Sequence, residues 1–391
     1  MEKRIEKYKE VRRILKEEIN NNEACIFKNK NAIIIFNIKT KKPIISFSKI
    51  LGYGQDGEVW LGCSPTDLQK GCKRNSLNFA IKVLPITKKE YYSKGNTKYE
   101  CWREIKILET TTRLVKDGIT PNLPMMYYYS KCSKINVKNY ANRNIIKRIK
   151  DNWGDFYGRY AIYIYNEPAD YDFYKWMRKE DISNVNIIYS LLFQIFAGLS
   201  VLHNKLNMVH MDLHGGNIFI VKNKSNDKYL IYELDNTKYY IPTYGYQFII
   251  WDFSVSLLLD ENSKTEVFES VMDKVEWFLG RKITNNEDNI EKNLYGKDYK
   301  KYQKYIFSFD VLRLIRSVSY TVKDNPKINQ NIHKLLYNIE KDATYDLTVG
   351  LTGKTDRFEY YANIKDIIKK YFGKYTKKPR NIKENKVYKI Y

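Results

Sequence analysis

The sequence is poor in the residues that staple small proteins together. Five cysteines, at 25, 63, 72, 101 and 132, are spread over 391 residues. Their number is odd and no two form a C-x-x-C pair, so the spacing supports neither a disulfide framework nor a zinc site and predicts reduced thiols. Long hydrophobic runs are missing too: no run approaches the ~20 apolar residues that cross a bilayer. The opening "MEKRIEKYKEVRRILKEEINNN" is a charged helical pattern without a signal-peptide core. No internal repeat is evident. These absences predict a soluble intracellular protein, cytoplasmic and without a membrane partner.

What is present is core-forming residues and positive charge. Hydrophobic residues make up 43% of the chain, enough for two lobes with real cores, and the length exceeds the roughly 100–200 residues of one average domain. Lysine and arginine number 68 against 45 acidic residues, a net charge of +23. That surplus suits nucleic acid, an anionic surface or an acidic protein substrate. The abundant Lys, Asn, Ile and Tyr all have codons rich in A and T, so genome composition alone raises lysine, and dedicated nucleic-acid binding is not favoured. Basic stretches cluster at 297–305 and 369–389, the second reading as a partly ordered tail.

Periodicity changes halfway along. Residues 1–20 predict a helix; β-branched and aromatic runs from about 31 to 62, at 76–86, 123–132 and 160–166 predict strands, with a helix in "KYECWREIKILETTTRLV" between them. Residues 185–204 carry apolar side chains at three- and four-residue steps, as a buried helix does. Short strands follow at "NIFIV", "KYLIYEL" and "QFIIWDF". Helical patterns come last, in "FESVMDKVEWFL", "FDVLRLIRSVSY" and "NIHKLLYNI". The layout is α+β: an N-terminal extension (1–44), a β-rich lobe (45–166), an α-rich lobe (167–370) and a basic tail (371–391).

Four motifs carry chemistry. "LGYGQDGEV", from Leu51, places Gly52, Gly54, Gly57 and Val59 in a G-x-G-x-x-G-x-V turn between strands, where bare backbone can approach phosphate oxygens. "FAIKV" puts Ala80 and Lys82 on a strand among apolar neighbours, and a buried ammonium there needs an anionic partner. Glu104 is that candidate, with Glu100, one turn earlier on the same helix face, as competitor. "VHMDLHGGN" (209–217) approximates H-R-D-L-x-x-x-N: Asp212 can accept a proton from an attacking hydroxyl, and Asn217 offers an oxygen to a metal. Asp252, in "IIWDFSVS", supplies a second oxygen, in keeping with Mg²⁺.

Taken in this order, the motifs resemble the eukaryotic-type protein kinase superfamily across about 45–320. The 34 residues between Asn217 and Asp252 include "YELDNTKYYIPTYGYQFIIW". This is similar to haspin kinases and the serine/threonine kinases of large DNA viruses of the mimivirus type, in which an extra strand pair ending in an Ile-Pro-x-x-Gly turn precedes the metal Asp. "SFDVLRLI" is likewise similar to the haspin-type helix whose Asp, here Asp310, holds the catalytic loop.

The resemblance implies a bilobal protein-kinase-like fold and an ATP- and Mg²⁺-dependent serine/threonine protein kinase, monomeric, in host cytoplasm or virion if viral. Lys82, held by Glu104, would bind the α/β-phosphates under Gly52, Gly54 and Gly57. Leu51, Val59 and Ala80 would line the adenine, "YNEPADYD" (165–172) would form the hinge, and Asp172 would contact ribose. Asp212 would be the base, and Asn217 and Asp252 the metal ligands.

The chain departs from the family pattern at several points. Met211 replaces the arginine that pairs with an activation-loop phosphate, and His214 replaces a lysine, with a γ-phosphate contact implied in its stead. Ser254 ends D-F-S, and no A-P-E motif precedes Asp310. The D-L-H-x-G-N form is shared with small-molecule phosphotransferases of the aminoglycoside and choline kinase type, which are the alternative reading. A pseudokinase scaffold is a third.

Overall fold

The structure, a computed structural model, describes residues 2–19, 24–29, 32–37, 43–53, 57–63, 77–133, 160–180, 184–223, 228–260, 299–323, 325–352, 363–380, 382 and 386–391. Gly54 and the helical pattern at 268–279 lie outside these residues. The chain divides into two compact units, Met1–Lys116 with Pro124–Pro168 and Asp117–Leu123 with Ala169–Tyr391. Both mix helices with mainly antiparallel sheet, so the fold class is α+β.

The first unit comprises α1 (Glu2–Glu18), β1 (Ala24–Asn29), β2 (Ala32–Asn37), β3 (Pro43–Tyr53), β4 (Glu58–Cys63), β5 (Phe79–Ile86), α2 (Lys88–Tyr92), α3 (Glu100–Lys116), β6 (Met126–Cys132) and β7 (Tyr160–Asn166). Among the described residues its seven strands form one sheet in the order β1-β2-β3-β4-β5-β7-β6. β5 lies inside the sheet and is buried apart from half-buried Lys82 and Pro85, which explains its unbroken apolar character. α1 buries Tyr8, Val11 and Leu15, the stripe an amphipathic helix keeps inward. Tyr8 packs on Tyr127 of β6 with ring centroids 6.0 Å apart, and Arg12 Nη1 donates to the Tyr127 carbonyl at 2.8 Å.

The cysteines depart from expectation. β1 and β6, at opposite ends of the strand order, touch, and Cys25 and Cys132 form a disulfide with Cα atoms 5.0 Å apart. Cys63 is disulfide-bonded as well, while Cys101 is free and buried. Parity and local spacing carry no information about which strands a curled sheet brings together. The two partners stand 107 residues apart in sequence, and β1 itself was hidden behind the polar run that precedes it.

The second unit comprises β8 (Tyr171–Asp172), α4 (Phe173–Lys179), α5 (Asn186–Leu206), β9 (Met208–Val209), β10 (Ile218–Lys222), β11 (Tyr229–Leu234), β12 (Thr237–Pro242), β13 (Tyr246–Ile250), β14 (Leu257–Leu258), α6 (Tyr299–Val322), α7 (Gln330–Thr352), α8 (Ile364–Phe372) and β15 (Val387–Lys389). Contrary to the sequence expectation, one helix, α5, is by length and composition apolar enough to cross a membrane. Within the protein 89% of that stretch is buried, which marks a core helix. Phe193 of α5 meets Tyr232 and Phe372 at ring-centroid distances of 5.3 and 5.4 Å.

β11 and β12 are the strand pair expected between Asn217 and Asp252. Asp235 and Asn236 join them, both at positive φ (47° and 63°), the geometry of a two-residue turn matched to strand twist. The Ile241–Gly245 segment turns next, with Tyr244 and Gly245 also at positive φ. The buried side chain of Asn122 ties these parts together. Its Nδ2 donates to Gln194 Oε1 (3.1 Å) and to the Phe248 carbonyl (2.8 Å), and its Oδ1 accepts from Tyr232 Oη (2.7 Å).

The end of the sequence corrects the expectation of a partly ordered basic tail. α8 buries Ile364, Ile367, Ile368 and Phe372, and Tyr388 and Ile390 are buried beyond it. β15 pairs in parallel with β11, Ile231 opposite Val387. The lysines masked an apolar stripe at helical spacing.

Candidate active site

In the first unit, alternation along β4 and β5 decides which side chains share a face. Val59 lies opposite Lys82 and Leu61 opposite Ala80, so Val59, Ala80 and Lys82 lie on one side of the sheet. Lys82 Nζ reaches Glu104 Oε1 of α3 at 2.7 Å, with side-chain exposures of 11% and 4%: a nearly dry, charge-assisted pair. Glu100, the competitor, sits exposed at the start of the helix. β3 and β4 form the expected hairpin, Gly52 opposite Val59, with Leu51 beside an irregularity in register. Gly57 has a packing reason of its own, because a Cβ there would collide with the Val83 carbonyl of β5.

In the second unit the loop after β9 is held from several sides. Asp310 of α6, wholly buried, accepts from the backbone N–H of His210 (2.8 Å) and of Met211 (2.9 Å) and lies 3.0 Å from His203 Nε2. Met211 is buried at φ 66°, a left-handed conformation unfavourable for a side chain, which those two bonds help to fix. His210 Nε2 donates to the Trp251 carbonyl at 2.8 Å, and its Nδ1 accepts from the Asp212 N–H at 3.3 Å.

Asp212 and Asn217 meet directly: Asn217 Nδ2 donates to the Asp212 carbonyl at 2.9 Å and faces its Oδ2 at 3.4 Å. Because the amide nitrogen is used inward, the side-chain oxygen of Asn217 is turned the other way. Antiparallel pairing of β10 with β13, Ile218 opposite Ile250, and a bond from Trp251 N–H to the Asn217 carbonyl (2.9 Å) bring Asn217 beside the Asp252 segment. Strands β10 to β13 lie between the two residues and return the chain to its starting point. Asp252 stands at φ 61°. An amide oxygen and a carboxylate are hard donors that fit Mg²⁺. Among the described residues no group of three or more His, Cys, Asp or Glu is placed to hold a metal ion.

Comparison with known proteins finds several relatives, most of them named as serine/threonine-protein kinases. The chain is 31% identical over 144 residues to mouse serine/threonine-protein kinase haspin, covering 37% of this chain and 19% of haspin. It is 26% identical over 218 residues to the putative serine/threonine-protein kinase R400 of Acanthamoeba polyphaga mimivirus, 50% of this chain and 46% of that protein. The chain is related to the haspin-like and mimivirus kinases. A second mimivirus protein, the uncharacterized protein R403, is 22% identical over 356 residues, 72% of this chain and 45% of its own length. The chain therefore spans less than half the length of these relatives. No family model matches it.

Several candidate site residues have surroundings that the sequence did not reveal. Asp172 caps α4, its Oδ1 accepting from Lys175 N–H at 2.8 Å while Oδ2 pairs with Lys175 Nζ at 3.1 Å. His214 faces Asp212, Nε2 to Oδ2 at 3.5 Å, while its Nδ1 accepts from Gly216 N–H at 3.0 Å and its ring stacks on Tyr174. Arg313 was missed altogether: its Nη2 donates to Asp212 Oδ1 at 3.1 Å. Burial of Asp212 pushes its carboxyl up, but His214 and Arg313 outweigh this and hold it at about 2. The available signal was the position of Arg313, one helical turn after Asp310.

Proposed function

We propose that this chain is an ATP- and Mg²⁺-dependent protein kinase that phosphorylates serine or threonine hydroxyls. The observation that carries the reading is the buried Lys82–Glu104 pair at 2.7 Å, the pairing that phosphotransfer of this class requires to place a lysine on the nucleotide phosphates. Gly52, Gly54 and Gly57 would cover those phosphates, Leu51, Val59 and Ala80 would pack on adenine, and Asp172 would meet the ribose. Asn217 and Asp252 would hold Mg²⁺, which neutralises phosphate charge when bound. Asp212, ionised, would orient the attacking hydroxyl and take its proton, with His214 beside it.

A protein substrate is favoured by the names of the relatives and by the strand pair β11–β12, and the net charge of +23 favours an acidic one. The loop "HMDLHGGN" supports a second reading, a small-molecule phosphotransferase. Incubating the purified chain and radiolabelled ATP with a protein mixture and, separately, with a metabolite panel distinguishes the two. Asp212→Asn or Lys82→Met is expected to lower transfer to protein by roughly 10²–10⁴-fold. Equal transfer by wild type and both variants would refute the assignment, and label confined to metabolites would favour the second reading.

A further inference from the structure

One face of α6 follows the catalytic loop residue by residue. Asp310, Arg313 and Ser317 stand at i, i+3 and i+7, the spacing that stacks side chains along a helix. Asp310 takes the N–H groups of His210 and Met211, Arg313 takes Oδ1 of Asp212, and Ser317 Oγ accepts from Gly215 N–H at 2.8 Å and bonds Tyr174 Oη at 3.0 Å. The helix thus holds the loop on both sides of Asp212 and reaches Asp212 itself through a guanidinium.

The loop has no permanently charged cation of its own. Residues 209–217 include no lysine or arginine. His214 Nδ1 accepts a hydrogen bond from Gly216 N–H at 3.0 Å, which fixes the ring beside Asp212. Met211 is buried and uncharged. Arg313, on a different element, brings positive charge to Asp212 at 3.1 Å, with side-chain exposures of 21% and 34%.

We propose that Arg313 is a positioning residue for Asp212. By fixing Oδ1 it sets the carboxylate plane and leaves Oδ2, which faces Asn217 and His214 at 3.4 and 3.5 Å, as the oxygen presented to the substrate. This rests on the kinase reading of the site. In the step it serves, the substrate hydroxyl oxygen forms a bond to the γ-phosphorus. The bond from that phosphorus to the bridging oxygen breaks, with its electron pair leaving on ADP, and the hydroxyl proton passes to Oδ2. Arg313 exchanges no proton. Its contribution is orientation, and a carboxylate free to rotate loses alignment worth up to about 10²-fold in rate.

The test uses the full chain and steady-state phosphotransfer to protein for wild type, Arg313→Met, Arg313→Lys and Arg313→Ala, the last with and without added guanidinium chloride. Arg313→Met is expected to lower kcat roughly 10–100-fold with KM for ATP unchanged. Arg313→Lys should recover part of the loss, and guanidinium should raise the turnover of Arg313→Ala without raising that of wild type. A merely structural arginine would give neither recovery by lysine nor rescue by guanidinium, and melting curves of each variant reveal misfolding. Wild-type kcat in Arg313→Met, or a higher one, overturns the proposal alone. An inactive wild type overturns the kinase reading and the proposal with it.

Discussion

Asp212 sits between two opposing influences. Burial raises its carboxyl, while hydrogen bonds and charge from His214 and Arg313 lower it further, to about 2 against an ordinary 3.8. A folded-state value below the unfolded one means that ionised Asp212 stabilises the fold. That contribution is fully present above about pH 4 and is lost as the pH falls towards 2. Urea denaturation of wild type and Asp212→Asn should show a stability difference that is constant between about pH 5 and pH 7 and shrinks below about pH 4. At Gly57 packing dominates: Gly57→Ala drives a Cβ into the Val83 carbonyl and is expected to cost about 1–3 kcal/mol of stability, read from the same denaturation curves. The meeting of Lys82 with Glu104 and of Asp212 with Asn217 follows motifs legible in the sequence. Arg313 was not legible there, because in a chain with 68 lysines and arginines one more arginine carries no signal until a helix aims it.

Long elements with a clean period were read well. The helix at 185–204 is α5 within a few residues, the run at 76–86 contains β5, and the run at 160–166 is β7. Short or composition-masked elements were not. β1 hid behind asparagines, and α8 and β15 behind lysines, since polarity of neighbours says nothing about which face a strand or helix turns inward. The polar junction at Asn122 is another feature that only the packing reveals, because its partners come from α5, β11 and β13. Asn122→Leu would leave Tyr232 Oη, Gln194 Oε1 and the Phe248 carbonyl without that partner, at an expected cost of about 2–4 kcal/mol. Tyr232→Phe combined with Asn122→Leu should cost less than the sum of the single changes, as a double-mutant cycle by chemical denaturation will show.

At the scale of the whole chain, pattern gave the class of fold and the order of its parts but not the covalent closure of the first unit. The Cys25–Cys132 bond joins the two edge strands of the sheet across 107 residues, and closing a loop of that length removes much freedom from the unfolded chain. Peptide mapping without reductant should recover residues 25 and 132 as one linked pair. Cys25→Ser is expected to lower stability by about 2–4 kcal/mol, measured by thermal or chemical unfolding. The same substitution in excess dithiothreitol should cost far less, since the wild type then has no bond to lose.

The parallel pairing of Ile231 with Val387 bears on how the protein is made. A ribosome finishes the hairpin β11–β12 long before residue 387 emerges, so the outer edge of β11 leaves the exit tunnel with its N–H and C=O groups unmatched. Until β15 arrives, that edge is open to any other extended segment, including the same hairpin on a neighbouring nascent chain. The window in which this protein is most exposed to misassembly is therefore set by translation time, and slowing elongation after residue 242 would lengthen it.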